Sequence, residues 1–529
     1  MGFKDSEPAR PAAPTGLPEP TATPALDRPL LALLAGLKLL VHLATGGRYG
    51  YFRDELYFLD CARHLDWGYV DHAPLVAVYA KVALLLGGSL PAVRLLPALA
   101  GAGVVALAML IARQMGGGRF AQGVTGLSVL AAPINLGIDS ILTMNAFEPL
   151  FWMGCVLVLI RIIRTNDSRL WIGFGLLAGL GLENKHSTLL FGFALGVAIL
   201  AVPQRRELCK PWIWLGAGIA LAIALPNLVW EARHGAPTLE DLQNVKSSGK
   251  NVLLTPFEFA TQQVLMLHPL LLPIWLAGLG SLLLGKGRRF RLLGIGYLVL
   301  LGTMIALHGK NYYLAPIYPM LFAAGAVAVE RALETRPFSR GRLWPKALIA
   351  ALIATGGAIV VPAILPLLPP EKLLEYQRFL GATPRKTEVG HDGPLDQRLG
   401  DQFGWEELVG DVARIYRSLP PEVRARTGIF AGNYGEAGAL SLFGPAAGLP
   451  APICAHQTYY FWGPGGFDGD SLIWLQWGRE SIGRYCLSVE KVGEHFHPWG
   501  MAEENRPIYL CRGLRAPLST IWPELKHWN

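Results

Sequence analysis

Runs of about 20 apolar residues recur through the first two-thirds of the chain, and this spacing limits its possible folds more than any motif does. Inside lipid every backbone N–H and C=O must find a partner within the protein, so such runs cross the membrane as helices. Of 529 residues, 52% are hydrophobic and only 16% charged. The mean hydropathy is +0.35, outside the usual soluble range. The runs predict eleven spans, at residues 30–46, 91–112, 121–138, 145–163, 170–183, 187–203, 211–230, 261–284, 292–308, 313–330 and 347–367. The shorter apolar stretch 74–86 is expected to lie at the interface between the first two.

Basic residues set the orientation, because cytoplasmic connections retain Lys and Arg. Every second connection is basic: Arg113 and Arg119; Arg161, Arg164 and Arg169; Arg205, Arg206 and Lys210; Lys286, Arg288, Arg289 and Arg291; Arg331, Arg336, Arg340, Arg342 and Lys346. The N-terminus is therefore expected in the cytoplasm, and an odd number of spans puts the C-terminus outside. The formal charge of +8 is accounted for by topology and gives no reason to expect nucleic-acid binding. Residues 1–28, rich in Pro and Ala, read as a disordered cytoplasmic tail. Residues 29–367 form the membrane domain. From 368 to 529 the composition turns to mixed charge, Trp, Tyr and Gly, which predicts an extracytoplasmic soluble α/β domain. Within it, the apolar run at 427–431 followed by Gly432-Asn433-Tyr434-Gly435-Glu436 predicts a strand, a tight turn and a helix.

The polar residues of the membrane part gather at the outer ends of the spans. Arg53, Asp54, Glu55, Asp71, His72, Lys81 and Arg94 fall between spans one and two or open span two, and Asn145 and Glu148 open span four. Glu183, Asn184, Lys185 and His186 join spans five and six; His308, Lys310, Tyr312 and Tyr313 join spans nine and ten. Ionised groups at membrane depth are costly and mark functional sites. Carboxylates beside cations suit an anionic lipid carrier: Lys, Arg or protonated His binds a phosphate while a carboxylate takes a proton from a nucleophile. No phosphate-binding Gly-x-x-x-x-Gly-Lys-Ser/Thr loop is present, so a soluble nucleotide donor has no support. His495-Phe496-His497 is the only close histidine pair and lacks further ligands, so no metal site is expected, although a divalent ion stays open. Cys61, Cys454, Cys486 and Cys511 are expected outside, more readily as buried thiols than as a disulfide, with one disulfide left open.

Several fragments, in order, carry a family resemblance: Arg53-Asp54-Glu55-Leu56-Tyr57, Asp66-Trp67, Asp71-His72-Ala73-Pro74-Leu75, Ala92-Val93-Arg94-Leu95-Leu96-Pro97, Gly179-Leu180-Gly181 with Lys185, and Lys310-Asn311-Tyr312-Tyr313-Leu314-Ala315-Pro316. Together they resemble the GT-C membrane glycosyltransferases of the protein mannosyltransferase and lipid A aminoarabinose transferase type, including the lipopolysaccharide galacturonosyltransferase branch. The resemblance implies a GT-C fold in a bacterial inner membrane. It also implies a polyprenyl-phosphate sugar donor, inverting transfer, and a lipid, glycan or protein acceptor. Asp54 would be the catalytic carboxylate, with Glu55 assisting. His72, Arg94, Lys185 and Lys310 would be candidates for the donor phosphate, and Glu148, Tyr312 and Tyr313 for substrate contact. Two departures stand out. His72-Ala73-Pro74-Leu75 replaces a Lys-Pro-Pro-Leu found in some members, and Thr143-Met144-Asn145-Ala146-Phe147-Glu148-Pro149 lacks the Asp of a common Thr-Thr-Asp-Ala-Pro.

Plainer readings compete with these roles. Asp54 could only cap a helix or pair with Arg53. Arg94, Lys185 and Lys310 could snorkel to headgroups, and the tyrosines could belong to an interfacial belt. A transporter or flippase of lipid-linked saccharide is the alternative function, but it should show repeated halves with broken helices, and the chain has no evident repeat.

Overall fold

The computed structural model describes residues 23–335, 343–382, 388–389 and 392–528. Most of the expected N-terminal tail, and Arg336, Arg340 and Arg342, lie outside these residues. In chain order the helices of the membrane part are α1 (Arg28–Thr45), α2 (Arg53–Arg63), α3 (Leu75–Leu85), α4 (Leu90–Gln114), α5 (Arg119–Ala131), α6 (Pro133–Ile138), α7 (Met144–Thr165), α8 (Trp171–Asn184), α9 (Thr188–Leu200), α10 (Pro211–Arg233), α11 (Pro237–Ser247), α12 (Pro256–Leu267), α13 (Leu272–Leu283), α14 (Arg291–Ala306), α15 (Tyr318–Thr335) and α16 (Trp344–Ile364).

Among the described residues, seven helices are long and apolar enough to cross a membrane, and up to nine if two bent pairs each count as one span. The eleven expected spans are not reproduced as eleven such helices. The run at 121–138 breaks between α5 and α6, where Pro133 offers no N–H to the preceding turn. The run at 170–183 gives α8, whose 14 residues extend about 21 Å, less than a hydrocarbon core of about 30 Å. Prolines also mark both bends, 108° between α9 and Pro203–Cys209 and 94° between α12 and Pro269–Leu283. The apolar stretch at 74–86 is the 11-residue α3, too short to span.

Small residues let the helices approach closely. A Cβ on Gly175 of α8 would lie 2.1 Å from the Gly216 carbonyl of α10, and one on Gly325 of α15 would lie 1.8 Å from the Ile274 carbonyl of α13. A buried ion pair, Lys38 Nζ to Asp139 Oδ2 at 2.8 Å, ties α1 to the end of α6, and Lys38 also donates to the Asn135 carbonyl at 2.9 Å. The last part of the expected free tail is instead held. Arg164 donates to Thr23 Oγ1 at 2.6 Å, Arg113 to the Pro24 carbonyl at 2.8 Å, and Asp27 caps α1.

Past the bundle follow α17 (Pro370–Phe379), α18 (Gln397–Gly400), α19 (Trp405–Ser418), α20 (Pro421–Arg424) and α21 (Tyr434–Phe443), with strands β1 (Thr427–Ala431), β2 (Pro452–Cys454), β3 (Ser471–Trp474), β4 (Cys486–Glu494) and β5 (Pro507–Leu514). The sheet order is β2-β1-β3-β5-β4. β1 runs parallel to β2 and β3, and β5 antiparallel to β3 and β4. This is the small C-terminal α/β domain anticipated from composition. Two cysteines depart from the expected thiols: Cys486 and Cys511 form a disulfide, whereas Cys61, Cys155 and Cys454 are free and buried and Cys209 is free and exposed.

The two parts share a core. Leu56, Tyr57 and Leu59 of α2 pack in one buried cluster with Ala437, Ala439 and Leu440 of α21. A Cβ on Gly438 would lie 2.7 Å from the Leu56 backbone, so only glycine allows this contact. The strand-turn-helix unit β1–α21 is thereby pressed against the start of the first loop.

Candidate active site

Arg53-Asp54-Glu55 opens α2, where the helix N-terminus favours carboxylates. Successive residues on a helix point about 100° apart, so the neighbouring carboxylates face different surroundings. Glu55 turns inward and is fully buried. It accepts from the Phe52 and Leu142 amides, both at 2.8 Å, and from Arg94 Nε at 3.2 Å and Nη2 at 3.1 Å. Arg94, also buried, further donates to the carbonyls of Gly46, Arg48 and Gly50 and to Gln402 Oε1. The pair is saturated inside the protein. The assisting role expected for Glu55 and the phosphate role expected for Arg94 find no free atoms here; both groups hold the loop in place.

Asp54 is half-buried. Its Oδ1 accepts from the Tyr434 hydroxyl at 2.9 Å, and among the described residues Oδ2 has no hydrogen bond. Burial pushes its pKa up, opposed by Arg53 and by the Tyr434 hydrogen bond. Arg53 is not merely its counter-ion: Nη1 reaches Glu503 Oε1 at 2.8 Å, Nε lies 3.8 Å from Asp401, and the guanidinium sits 5.3 Å from the Tyr434 ring centre. Asn433 caps α21 by accepting from the Glu436 amide at 2.9 Å, which fixes Tyr434 at the first helical position. Asp71 lies near enough for Asp54 to raise its pKa. Burial is the larger cause and brings Asp71 to about 7 against the opposing hydrogen bond from Tyr57.

Lys310 donates to Glu388 Oε1 at 2.7 Å, and Lys250 lies 3.9 Å from Glu388 Oε2. Burial alone would raise the Glu388 pKa, yet Lys310 and Lys250 draw it down to about 2. Lys310 stays protonated: burial lowers its pKa, but Tyr312, Glu388 and Tyr313 together raise it further. Both Lys250 and Glu388 act electrostatically on Asp54. Lys185 donates to Asn145 Oδ1 at 2.7 Å and to Glu148 Oε2 at 3.2 Å, and lies 4.3 Å from the Tyr313 ring centre and 5.9 Å from that of Tyr312. Glu148 is buried and also accepts from the Ser187 hydroxyl.

His72 does not present a cation. It is buried, stacks on Tyr69 at 4.6 Å and bonds to the Ala73 carbonyl at 3.0 Å, and burial lowers its pKa to about 4. An imidazole with that pKa is neutral at physiological pH, so it supplies no charge for a phosphate. Of the four cations expected, Lys310 reaches the group around Asp54 through Tyr312, on which both act electrostatically, and Lys185 adjoins it at the Tyr312 ring, while Arg94 and His72 serve the scaffold. Tyr434, Lys250 and Glu388 belong to the group as well. Tyr434 lay in a turn already singled out as a strand-to-helix junction; Lys250 and Glu388 sit in connecting segments with no periodic or motif signal. Among the described residues, no group of three His, Cys, Asp or Glu is arranged to hold a metal ion, and His495 is engaged with Asp411 at 3.0 Å.

The dolichyl-phosphate-mannose-protein mannosyltransferase family matches residues 71–230. A lipid A galacturonosyltransferase, RgtD of Rhizobium johnstonii, is 24% identical over 387 residues, covering 70% of this chain and 78% of that protein. Two crystal structures of ArnT from Cupriavidus metallidurans share the fold, each covering 92% of this chain and 98% of theirs. The one bound to undecaprenyl phosphate is 15% identical with a TM-score of 0.58, and the apo form is 14% identical with the same score.

Proposed function

We propose that this chain, a membrane glycosyltransferase of the GT-C fold, moves a sugar from a polyprenyl-phosphate donor to an envelope acceptor at the outer face of the inner membrane, with inversion at the anomeric carbon. The observation that carries the reading is the state of Asp54: its neighbour Glu55 is consumed by Arg94, whereas Asp54 keeps Oδ2 without a hydrogen bond among the described residues, in a site that also holds Lys185, Lys250 and Lys310. Asp54 Oδ2 accepts the proton of the acceptor's nucleophilic group. The acceptor oxygen bonds to the anomeric carbon as the bond from that carbon to the phosphate oxygen breaks. Polyprenyl phosphate then leaves with the electron pair, and Lys310 and Lys185 meet its negative charge. Attack opposite the leaving phosphate inverts the centre. Tyr312 and Tyr313, beside Lys185, offer faces for the sugar or the headgroup.

The undecaprenyl phosphate named with the ArnT structure supports a polyprenyl carrier, and the lipid A substrate named for RgtD supports an envelope glycolipid acceptor. The basic connections support a cytoplasmic N-terminus and a C-terminal domain outside. The transporter alternative has no support among these relatives. Purified protein in lipid, given a polyprenyl-phosphate sugar and envelope glycolipid, should release polyprenyl phosphate only when the acceptor is present. Mass spectrometry of envelope glycolipids with and without the protein identifies the sugar and the acceptor. Absence of release with every envelope acceptor fraction contradicts the reading.

A further inference from the structure

At the other end of the bundle lies a polar cavity that the proposed chemistry does not use. Helices α4, α7 and α15 each run between the two ends. α4 begins near Arg94 and ends at Gln114, α7 begins near Asn145 and ends near Arg164, and α15 begins at Tyr318 and passes Arg331. The 22 residues of α7 span about 33 Å, so the two ends belong to opposite membrane faces. There, a cavity of about 240 Å³ is lined by Arg164, Lys286, Arg289 and Arg331, together with Gln114 and Ser281.

Three of the four cations are tied to backbone carbonyls, while Lys286 is exposed and makes no hydrogen bond among the described residues. Arg164 donates to the Gln114 carbonyl at 2.7 Å and to its Oε1 at 2.9 Å. Arg289 Nη2 donates to the carbonyls of Ile163 and Arg164, both at 3.1 Å, and Arg331 Nη2 to the Met115 carbonyl at 2.9 Å. Among the described residues none of the four makes an ion pair with a carboxylate. The Nε and Nη1 groups of Arg289 and Arg331 make no hydrogen bond there either. Retention of positive charge on the cytoplasmic side explains why basic residues occur in these loops. It does not explain why four of them, from three separate connections, converge on one concavity without an acid. Guanidinium forks anchored on one side, with donors spare on the other, are suited to phosphate oxygens.

We propose that this cavity binds a phosphate ester, in the form of the phosphodiester headgroup of an anionic phospholipid in the leaflet opposite Asp54. A lipid fits the place, since the cavity lies among the ends of membrane helices, where a headgroup sits. The same chemistry could be met by soluble phosphate, and the test separates the two sources.

Wild-type protein is exchanged into detergent containing phosphatidylglycerol, phosphatidylcholine, or phosphatidylcholine plus inorganic phosphate, and its Tm is read alongside the double variant Arg289→Gln/Arg331→Gln. Phosphatidylglycerol should raise the wild-type Tm above its value in phosphatidylcholine, and the variant should lose most of that increment. An equal rise with inorganic phosphate would assign the site to a soluble anion and overturn the lipid. An increment unchanged in the variant would overturn the site itself. Native mass spectrometry of the wild type with equimolar phosphatidylglycerol and phosphatidylcholine provides a reading that needs no variant: the anionic lipid should dominate the retained adducts several-fold, and equal retention would overturn the proposal. Arg289→Lys/Arg331→Lys, which keeps the charge and loses the fork, should retain an intermediate preference.

Discussion

Two adjacent carboxylates, Asp54 and Glu55, end in opposite roles, and their substitutions should separate accordingly. Glu55→Gln leaves the Arg94 guanidinium buried against a neutral partner. Breaking such a pair costs about 3–5 kcal/mol, so the expected outcome is a lower Tm with activity falling in step with the folded fraction. Tyr434→Phe acts on Asp54 alone. The Tyr434 hydrogen bond favours the ionised carboxylate, and burial already raises the Asp54 pKa. Without that bond the pKa rises further, so on acidification the basic form is lost at a higher pH. The acidic limb of the rate profile should therefore move to higher pH, and an unmoved limb would mean that Tyr434 does not act on the base. At this scale the sequence was legible where polar residues stand at the ends of apolar runs. Asp54, Lys185 and Lys310 could be picked from their positions at span ends. The fates of Glu55 and Arg94 depend on partners such as Leu142 and Gln402, far away in the chain, which no local pattern reveals, and that of His72 on its burial in the folded core.

Among the elements, the packing of α21 on α2 positions Tyr434 against Asp54, and Gly438 permits it. Gly438→Val forces the two helices apart or strains them, at a cost of about 1–3 kcal/mol. Turnover should then drop more than the Tm shift accounts for, because Tyr434 is drawn away from Asp54; a drop matching the folded fraction alone would contradict this coupling. The turn at Gly432-Asn433 and the strand before it were readable from glycine, asparagine and an apolar run, since those residues have local reasons to break and cap. Helix breaks were less readable. Hydropathy averages over a window and so passes smoothly through Pro133 and Pro269, where the backbone bends. The disulfide between Cys486 and Cys511 was hidden for another reason: pairing requires β4 and β5 to lie side by side, which only the finished sheet decides.

For the whole molecule, the alternation of basic and polar connections predicts the sides, and Cys209 provides a direct reporter. It is exposed in the connection between α9 and α10, at the end remote from Asp54. A membrane-impermeant maleimide should label Cys209 in inside-out vesicles and leave intact spheroplasts unlabelled; the reverse pattern would invert the topology and move the chemistry to the cytoplasm. The fold class and the presence of a C-terminal α/β domain were legible because hydrophobic length and composition are themselves the physical causes of membrane insertion and of separate folding.

The account turns on Asp54 as the base. The measurement that tests it most directly is single-turnover release of polyprenyl phosphate by Asp54→Asn, in lipid, with Tm recorded on the same preparation. The expected result is a wild-type Tm and a rate lower by about 100-fold or more, the range supplied by a positioned general base. A folded Asp54→Asn protein that releases polyprenyl phosphate at the wild-type rate would contradict the account.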